Sequence, residues 1–331
     1  MEKMGLADLL GHSPAMKEVR AFVAKAARVR APVLLLGETG TGKSLIGKVI
    51  HHESPRRRGA YQAVNCAGIP DALFESEFFG HNRGAFTGAR EARRGILEQA
   101  SGGTLFLDEV GELSAGQQAK LLTALEEGEI RRLGGEGTRR VDFRVLAATA
   151  RNLEEGMASG AFRRDLFHRL SLLMCTVPPL RERGEDIPLL ARNFLRVHQR
   201  RHGLPAHPLS TRALAYLRAE AWPGNVRELS HLLEAALILS ESGLLTEEQL
   251  RRVKGRSGPS EKATLEATPA PGHADDRRTA DRYAFHGSPE EERAHVLDAL
   301  RRCRGNKSRA ARELGMSRNT LRSRLEKWAE E

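Results

Sequence analysis

An apolar run, Val33-Leu34-Leu35-Leu36, leads directly into Gly37-Glu38-Thr39-Gly40-Thr41-Gly42-Lys43-Ser44, and Leu45 to His52 then reads as helix. Buried strand, glycine loop and helix in that order are the context a phosphate-binding loop requires. Glycines let successive backbone N–H groups converge on one oxyanion, and the helix N-terminus adds partial positive charge. Lys43 is placed to reach the β- and γ-phosphates, and the Ser44 hydroxyl to ligate Mg²⁺. The bland alternative is a Gly-rich turn between strand and helix, which the full spacing and both flanks disfavour.

A second apolar strand, Thr104 to Leu107, ends in Asp108-Glu109. Open α/β sheets bind ligands at the carboxyl ends of their strands. Asp108 therefore reads as part of the Mg²⁺ shell and Glu109 as the group that orients or deprotonates the attacking water. Tyr61–Val64, Phe143–Thr149 and Leu172–Val177 read as further strands. Helical pieces are expected around Leu73–Phe79 and Arg93–Ala100 and from Ser114. This alternation implies an α/β fold with a doubly wound, mostly parallel sheet. Beyond Arg181 the pattern turns helical, with Ile187–Gln199, Thr211–Ala219 and Val226–Leu239 separated by turns such as Trp222-Pro223-Gly224-Asn225.

The 331-residue chain carries 40% hydrophobic residues, enough for a real core. No apolar run approaches the roughly 20 residues of a membrane helix, and no signal peptide opens the chain. Cys66, Cys175 and Cys303 are far apart, which argues for a reducing compartment and against a zinc site or disulfide framework. A cytoplasmic protein without membrane insertion is the expectation.

The net charge is +10, which points to a polyanionic partner. Between Arg301 and Trp328 ten Arg or Lys face two acids, so most of that surplus is C-terminal. Arg252 to Ser288 is rich in Gly, Pro, Ala, Ser, Thr and charge and reads as a flexible linker. After it, a helix with Val296, Leu297 and Leu300 precedes a second starting at Asn306-Lys307. Gly315 makes a corner and Ser317 is an N-cap for a third helix. This is helix-turn-helix spacing, with Lys307, Ser317, Arg318, Asn319, Thr320 and Arg322 as the candidate contacts to double-stranded DNA. A small basic bundle with solvated arginines is the bland alternative.

Two stretches stay open on residues alone. Gly84-Ala85-Phe86-Thr87-Gly88-Ala89 lies between helical pieces, and a lone aromatic such as Phe86 is more often tucked into the core. Phe162 to Leu170 crowds Arg163, Arg164 and Arg169 near apolar anchors, which a solvated helix face with Asp165 as partner would explain.

Together these motifs resemble the bacterial enhancer-binding proteins, AAA+ ATPases that activate RNA polymerase carrying sigma-54 and end in a Fis-type helix-turn-helix. The resemblance runs from Leu10-Gly11 to Trp328, and its most specific element is Gly84–Ala89 preceded by Glu75-Ser76-Glu77-Phe78-Phe79-Gly80-His81. It implies that Gly84–Ala89 contacts sigma-54 through Phe86 and Thr87 and moves with nucleotide state, against the core-packed reading of Phe86. It further implies that Asn65 restrains the catalytic glutamate, that Arg163 and Arg169 are arginine fingers reaching a neighbouring subunit, and that Arg227 senses phosphate from the lid. The implied cofactors are ATP and Mg²⁺. The implied partners are sigma-54 RNA polymerase holoenzyme, double-stranded DNA upstream of the promoter, and further copies of the chain in a hexameric ring.

Three departures accompany the resemblance. Ser44 stands where the family often has Glu, and Ala150 follows Thr149 where the family often has a polar residue. Thr149 remains as the phosphate-sensing candidate. The usual N-terminal regulatory domain is not expected before Leu10, which leaves either a separate protein to restrain this one or a truncated form. The expected organisation is an AAA+ ATPase core over 1–180, a helical lid over 181–251, a linker over 252–288 and the helix-turn-helix over 289–331. An ATPase-fold repressor and a remodelling ATPase with a DNA-binding tail are the competing readings. The complete Gly84–Ala89 loop argues against the first and the Glu75–His81 preamble against the second.

Overall fold

The computed structural model describes residues 4–240, 243–257 and 289–303, together with Ala310, Glu313, Leu314, Leu321 and Leu325. In chain order the strands are β1 (Val33–Leu36), β2 (Tyr61–Asn65), β3 (Gly80–His81), β4 (Arg93–Arg94), β5 (Thr104–Asp108), β6 (Glu129–Arg131), β7 (Thr138–Arg140), β8 (Arg144–Thr149) and β9 (Leu173–Thr176). The helices are α1 (Pro14–Ala27), α2 (Lys43–His52), α3 (Asp71–Phe78), α4 (Ile96–Gln99), α5 (Ala115–Glu127), α6 (Leu153–Ala158), α7 (Arg164–Leu170), α8 (Ile187–His202), α9 (Thr211–Ala219), α10 (Asn225–Ile238), α11 (Glu247–Ser257) and α12 (Pro289–Arg302).

Five strands form one sheet in the order β2-β5-β8-β1-β9. Each of its pairings is parallel. The period-two pleat sorts its side chains into two cores. Leu34, Leu105, Leu107 and Ala147 join α3, α5 and α7 on one face. Val33, Leu35, Phe106, Leu146 and Ala148 join α1 and α2 on the other. Burial on both faces explains why these strands read as continuous apolar runs rather than alternating ones. Ser13 caps α1 by accepting the Met16 N–H, with Pro14 in the first turn, as the local sequence predicts.

The local elements depart from expectation at two places in this part. Arg93–Arg94 is not helical but pairs antiparallel with Gly80–His81. A Cβ on Gly95 would lie 2.3 Å from the Phe78 carbonyl oxygen, and one on Gly80 would lie 2.4 Å from that of Arg93. The crossing therefore requires both glycines, and only four residues after it, Ile96–Gln99, remain helical. The hairpin β6–β7 has no counterpart in the sequence reading either, being short and, apart from Ile130, largely uncovered.

The lid packs α8 to α11 around Trp222, which is fully buried and donates its indole N–H to the Leu217 carbonyl at 2.8 Å. Its last helix runs to Ser257, six residues beyond the expected end of the lid at Arg251. Packing decides this. Val253 is buried, Lys254 pairs with Glu220 at 2.6 Å, and its ammonium lies 4.9 Å from the centre of the Trp222 ring. Residues 258–288, the rest of the expected linker, lie outside the described residues.

The chain divides into two compact units, Met1–Glu261 and Lys262–Glu331. In the second, Val296, Ala299, Cys303, Ala310, Leu314 and Leu321 form a small core. Leu297, one of the apolar residues noted on this helix, is 40% exposed, because the buried face repeats through Val296, Ala299 and Cys303. Among the described residues no helix is long and apolar enough to cross a membrane.

Candidate functional site

The carboxyl ends of β1, β5 and β8 meet at one edge of the sheet, and the chain leaves β1 there through the glycine loop. Gly37, Gly40 and Gly42 have φ of 142°, 82° and 105°, values that L side chains rarely adopt. Gly40 has a second reason: a Cβ there would lie 2.3 Å from the Gly224 carbonyl oxygen of the lid. At Gly42, directly before α2, nothing lies within 4 Å of that position. The loop is thus closed toward the lid and leaves room over the N-terminus of α2.

Lys43 is 5% exposed, and its ammonium donates to the Gly37 and Glu38 carbonyls at 2.7 and 3.1 Å. It lies 3.8 Å from Glu109 Oε1. Burial lowers its pKa, while Glu109 and Asp108 oppose that shift and the Arg227 charge reinforces it. Ser44 Oγ donates to Asp108 Oδ2 at 2.7 Å, so a hydroxyl and a carboxylate from opposite ends of the motif already converge. That donor pair suits a hard cation such as Mg²⁺.

Glu109 stands in the left-handed region at φ 53°, an uncommon conformation for a non-glycine residue and a mark of a constrained site. Its Oε2 accepts the Ala150 N–H at 2.9 Å. The donor is a main-chain group, so the departure at Ala150 leaves this bond intact. Asn65 pairs in register with Asp108 on the neighbouring strand. Its amide oxygen accepts the Ala67 N–H at 3.1 Å. Among the described residues no hydrogen bond joins Asn65 to Glu109. Thr149 is fully buried and its Oγ1 accepts the Arg151 N–H at 3.0 Å. A Cβ on Gly111 would come within 2.8 Å of that oxygen.

The lid reaches the loop through Arg227, named from the sequence, and through Asn225 and Arg181, to which sequence reasoning gave no role. Asn225, buried and at φ 53°, donates through Nδ2 to Glu38 Oε2 and to the Thr39 carbonyl, both at 3.0 Å. Its Oδ1 accepts the Leu180 N–H at 2.8 Å. Glu38 also pairs with Arg181 at 2.6 Å, and these two partners, Arg181 first, bring its pKa down to about 2. The Arg227 N–H donates to the Gly40 carbonyl at 3.3 Å. The asparagine after Trp-Pro-Gly was a usable signal, since Asn tolerates the left-handed region. A further clamp joins the start of the chain to the lid. Asp186 accepts from the Ser13 hydroxyl at 2.6 Å and the Ser13 N–H at 2.8 Å, and from Arg183 Nε at 3.2 Å. Beside it lies a cavity of about 130 Å³ lined by Leu9, Leu10, Ile46, Val177, Phe194 and Val226 and bordered by Thr41 and Gly42.

Three groups of candidate residues stand away from this edge. Arg163 makes a two-pronged pair with Asp165 at 2.7 and 3.0 Å, which raises its pKa. Arg169 donates to the Leu125 carbonyl at 2.5 Å. No hydrogen bond or ion pair joins either, among the described residues, to the phosphate loop. Gly84–Ala89 is a turn closed by the Gly84 N–H to Ala89 carbonyl bond at 2.8 Å. Its Phe86 is 45% exposed and meets His81 edge-on at 5.0 Å, so the core-packed reading fails. Lys307, Ser317, Arg318, Asn319, Thr320 and Arg322 lie outside the described residues.

Comparison with known proteins bears on the whole chain. Residues 9–176 match the family described as Sigma-54 interaction domain, 181–267 the AAA+ ATPase lid domain, and 288–328 the Bacterial regulatory protein, Fis family. The chain is 44% identical over 330 residues to the transcriptional regulatory protein XylR of Pseudomonas putida, covering 96% of this chain and 56% of that one. It is 42% identical over 335 residues to the DNA-binding transcriptional regulator NtrC of Escherichia coli (strain K12), covering 96% and 69%. It thus spans between about half and two thirds of the length of these relatives. The crystal structure of NtrX from Brucella abortus in complex with ATP superposes with a TM-score of 0.69 at 32% identity, covering 99% of this chain and 70% of that one. A mutant of Thermotoga maritima RuvB, at 15% identity and a TM-score of 0.52, covers 97% of this chain and 88% of that one and shares the fold alone.

Proposed function

The chain belongs to the Sigma-54 interaction domain family, with an AAA+ lid and a Fis-type helix-turn-helix, and from that premise we propose that it hydrolyses ATP to remodel sigma-54 RNA polymerase. It would act from a DNA site held by the C-terminal helices, as part of a homo-oligomeric ring, in the cytoplasm where both partners are found. One observation carries the reading: a complete phosphate site shares a unit with a glycine-bounded loop whose aromatic residue stands 45% exposed.

In this reading the loop N–H groups and Lys43 hold the phosphates, while Arg227 approaches from the lid. A bound Mg²⁺ would supply positive charge against that developing on the phosphates. Ser44 and Asp108 would hold it. Glu109 takes the proton of the attacking water. It must first leave the Ala150 N–H or use its other oxygen, and Asn65, one strand away, would restrain it until ATP is correctly bound. Arg163 and Arg169 act on a neighbouring copy. The Arg163–Asp165 pair is solvent-exposed, so little opposes its opening when a phosphate offers a better partner.

Hydrolysis is transmitted through Gly84–Ala89. Thr87→Ala and Phe86→Ala are expected to leave ATP turnover within about twofold of wild type and to abolish open-complex formation at a sigma-54 promoter, since few residues carry a small contact. ATP turnover and open-complex formation measured side by side check this. Promoter opening by both variants would reduce the loop to a turn and defeat the reading.

A further inference from the structure

Away from the phosphate site, α8 and α10 bring together three groups that nucleotide chemistry does not use. His198 and His202 are four residues apart, on one face of α8, and Glu234 faces them from α10. One ligand atom from each lies within 4.8 Å of both others. Glu234 Oε1 is 2.8 Å from His202 Nε2 and 3.5 Å from His198 Nδ1. In a tetrahedral zinc site, with ligands about 2.0–2.2 Å from the ion, neighbouring ligand atoms are roughly 3.4 Å apart.

The second observation concerns His198. Its side chain is 7% exposed, and Nδ1 is buried without a hydrogen-bond partner. Its other nitrogen, Nε2, lies 3.1 Å from Ser230 Oγ, a further residue of α10. When Nε2 carries the proton and donates to Ser230, Nδ1 keeps a lone pair 3.5 Å from Glu234 Oε1, an acceptor that has no proton to offer it. A buried acceptor left in that state costs stability. Metal-ligating histidines show the same arrangement, one nitrogen held by an outer hydrogen bond and the other on the ion.

We propose that His198, His202 and Glu234 form a binding site for one transition-metal cation of the Zn²⁺ class, with a water as fourth ligand on the side where His202 is partly exposed. Two imidazoles and a carboxylate with one open position are a donor set that suits Zn²⁺ and not the hard cations Mg²⁺ or Ca²⁺. The three cysteines, whose scatter argued against a zinc site, are not needed. Arg201 lies 3.5 Å from Glu234 but is 70% exposed, so it can swing out when a cation enters. Coordination would tie α8 to α10, the helix whose first turn places Asn225 and Arg227 against the phosphate loop, and would stiffen the lid.

The test uses the full chain, stripped with a chelator and kept free of nucleotide, titrated with Zn²⁺ by calorimetry. Thermal unfolding is followed in parallel, because a ligand that binds only the folded state raises the midpoint. Wild type is expected to bind one Zn²⁺ at this site, with a rise in midpoint that chelator reverses. His202→Ala and Glu234→Gln should each weaken that binding at least tenfold and lose the rise. Arg201→Ala, a change at an exposed side chain, should bind more tightly by removing a competing cation. Equal affinity in wild type, His202→Ala and Glu234→Gln would overturn the proposal, as would no binding to wild type at micromolar Zn²⁺. Should either ligand variant fail to fold, unchanged or weaker affinity in Arg201→Ala would overturn it as well.

Discussion

Gly37–Ser44 and Gly84–Ala89 are both glycine-rich loops, yet they use glycine differently. In the first, Gly37 and Gly40 need a positive φ and also space, since a Cβ at either would run into a carbonyl oxygen of Val177 or Gly224 at 2.6 or 2.3 Å. In the second, Gly84 and Gly88 have φ of 81° and 107° with nothing within 4 Å of a Cβ. The first loop is enclosed and its lysine is satisfied on arrival. The second is fixed at its base, where the Asn82 N–H donates to the Leu133 carbonyl at 3.0 Å, and bare at its tip. A loop that holds a ligand within one chain needs preorganised walls. A loop that serves a partner needs an exposed side chain, and its walls belong to the partner.

The largest effect tests the enclosed loop. Lys43→Ala should abolish nucleotide binding, read with a fluorescent ATP analogue, because it removes the buried cation aimed at the phosphates. Retained binding would mean that the main-chain cradle suffices alone and would break the contrast. Next come the arginines that, like Gly84–Ala89, are proposed to face a partner. Arg163→Ala or Arg169→Ala should lower ATP turnover by about 10³–10⁵ if either acts as a finger. Turnover per chain in wild type should rise with protein concentration, whereas a rate independent of concentration would return Arg163 to its pair with Asp165. Glu109→Gln should lower turnover by about 10²–10⁴ while ATP still binds, because only the proton acceptor is lost.

The smallest effect sharpens the enclosure itself. The Glu38 carboxyl is lowered from 4.5 to about 2, chiefly by its hydrogen bonds from Arg181. A depressed carboxyl contributes stability that is complete above the unfolded value and is lost as pH falls through the folded one. Arg181→Ala should therefore cost about 0.2–1 kcal/mol at pH 7, the range for an exposed pair. The difference from wild type should shrink between about pH 4.5 and 2, as followed by urea unfolding at each pH. A constant difference over that window would assign the effect to packing instead.

Motifs written in adjacent residues are legible in the sequence by itself. Strand, loop and helix around Lys43, the acids after β5, the cap at Ser13 and the two-faced burial of the sheet follow from spacing and residue type, because backbone sterics and the pleat act over a few residues. The reading failed where a distant segment decided. Arg93–Arg94 became a strand because Gly80 lay opposite it, α11 continued past Arg252 because Glu220 and Trp222 held Lys254, and Phe86, which residue type alone placed in the core, is 45% exposed beside His81, as the family resemblance implied. The same limit hid Asn225 against Glu38, Asp186 against Ser13, and Glu234 between His198 and His202. Each of those partners is at least 32 positions away along the chain. A chain states which groups it carries and how they repeat locally, whereas which of them meet depends on how packed elements cross, and that is settled only when the whole core closes.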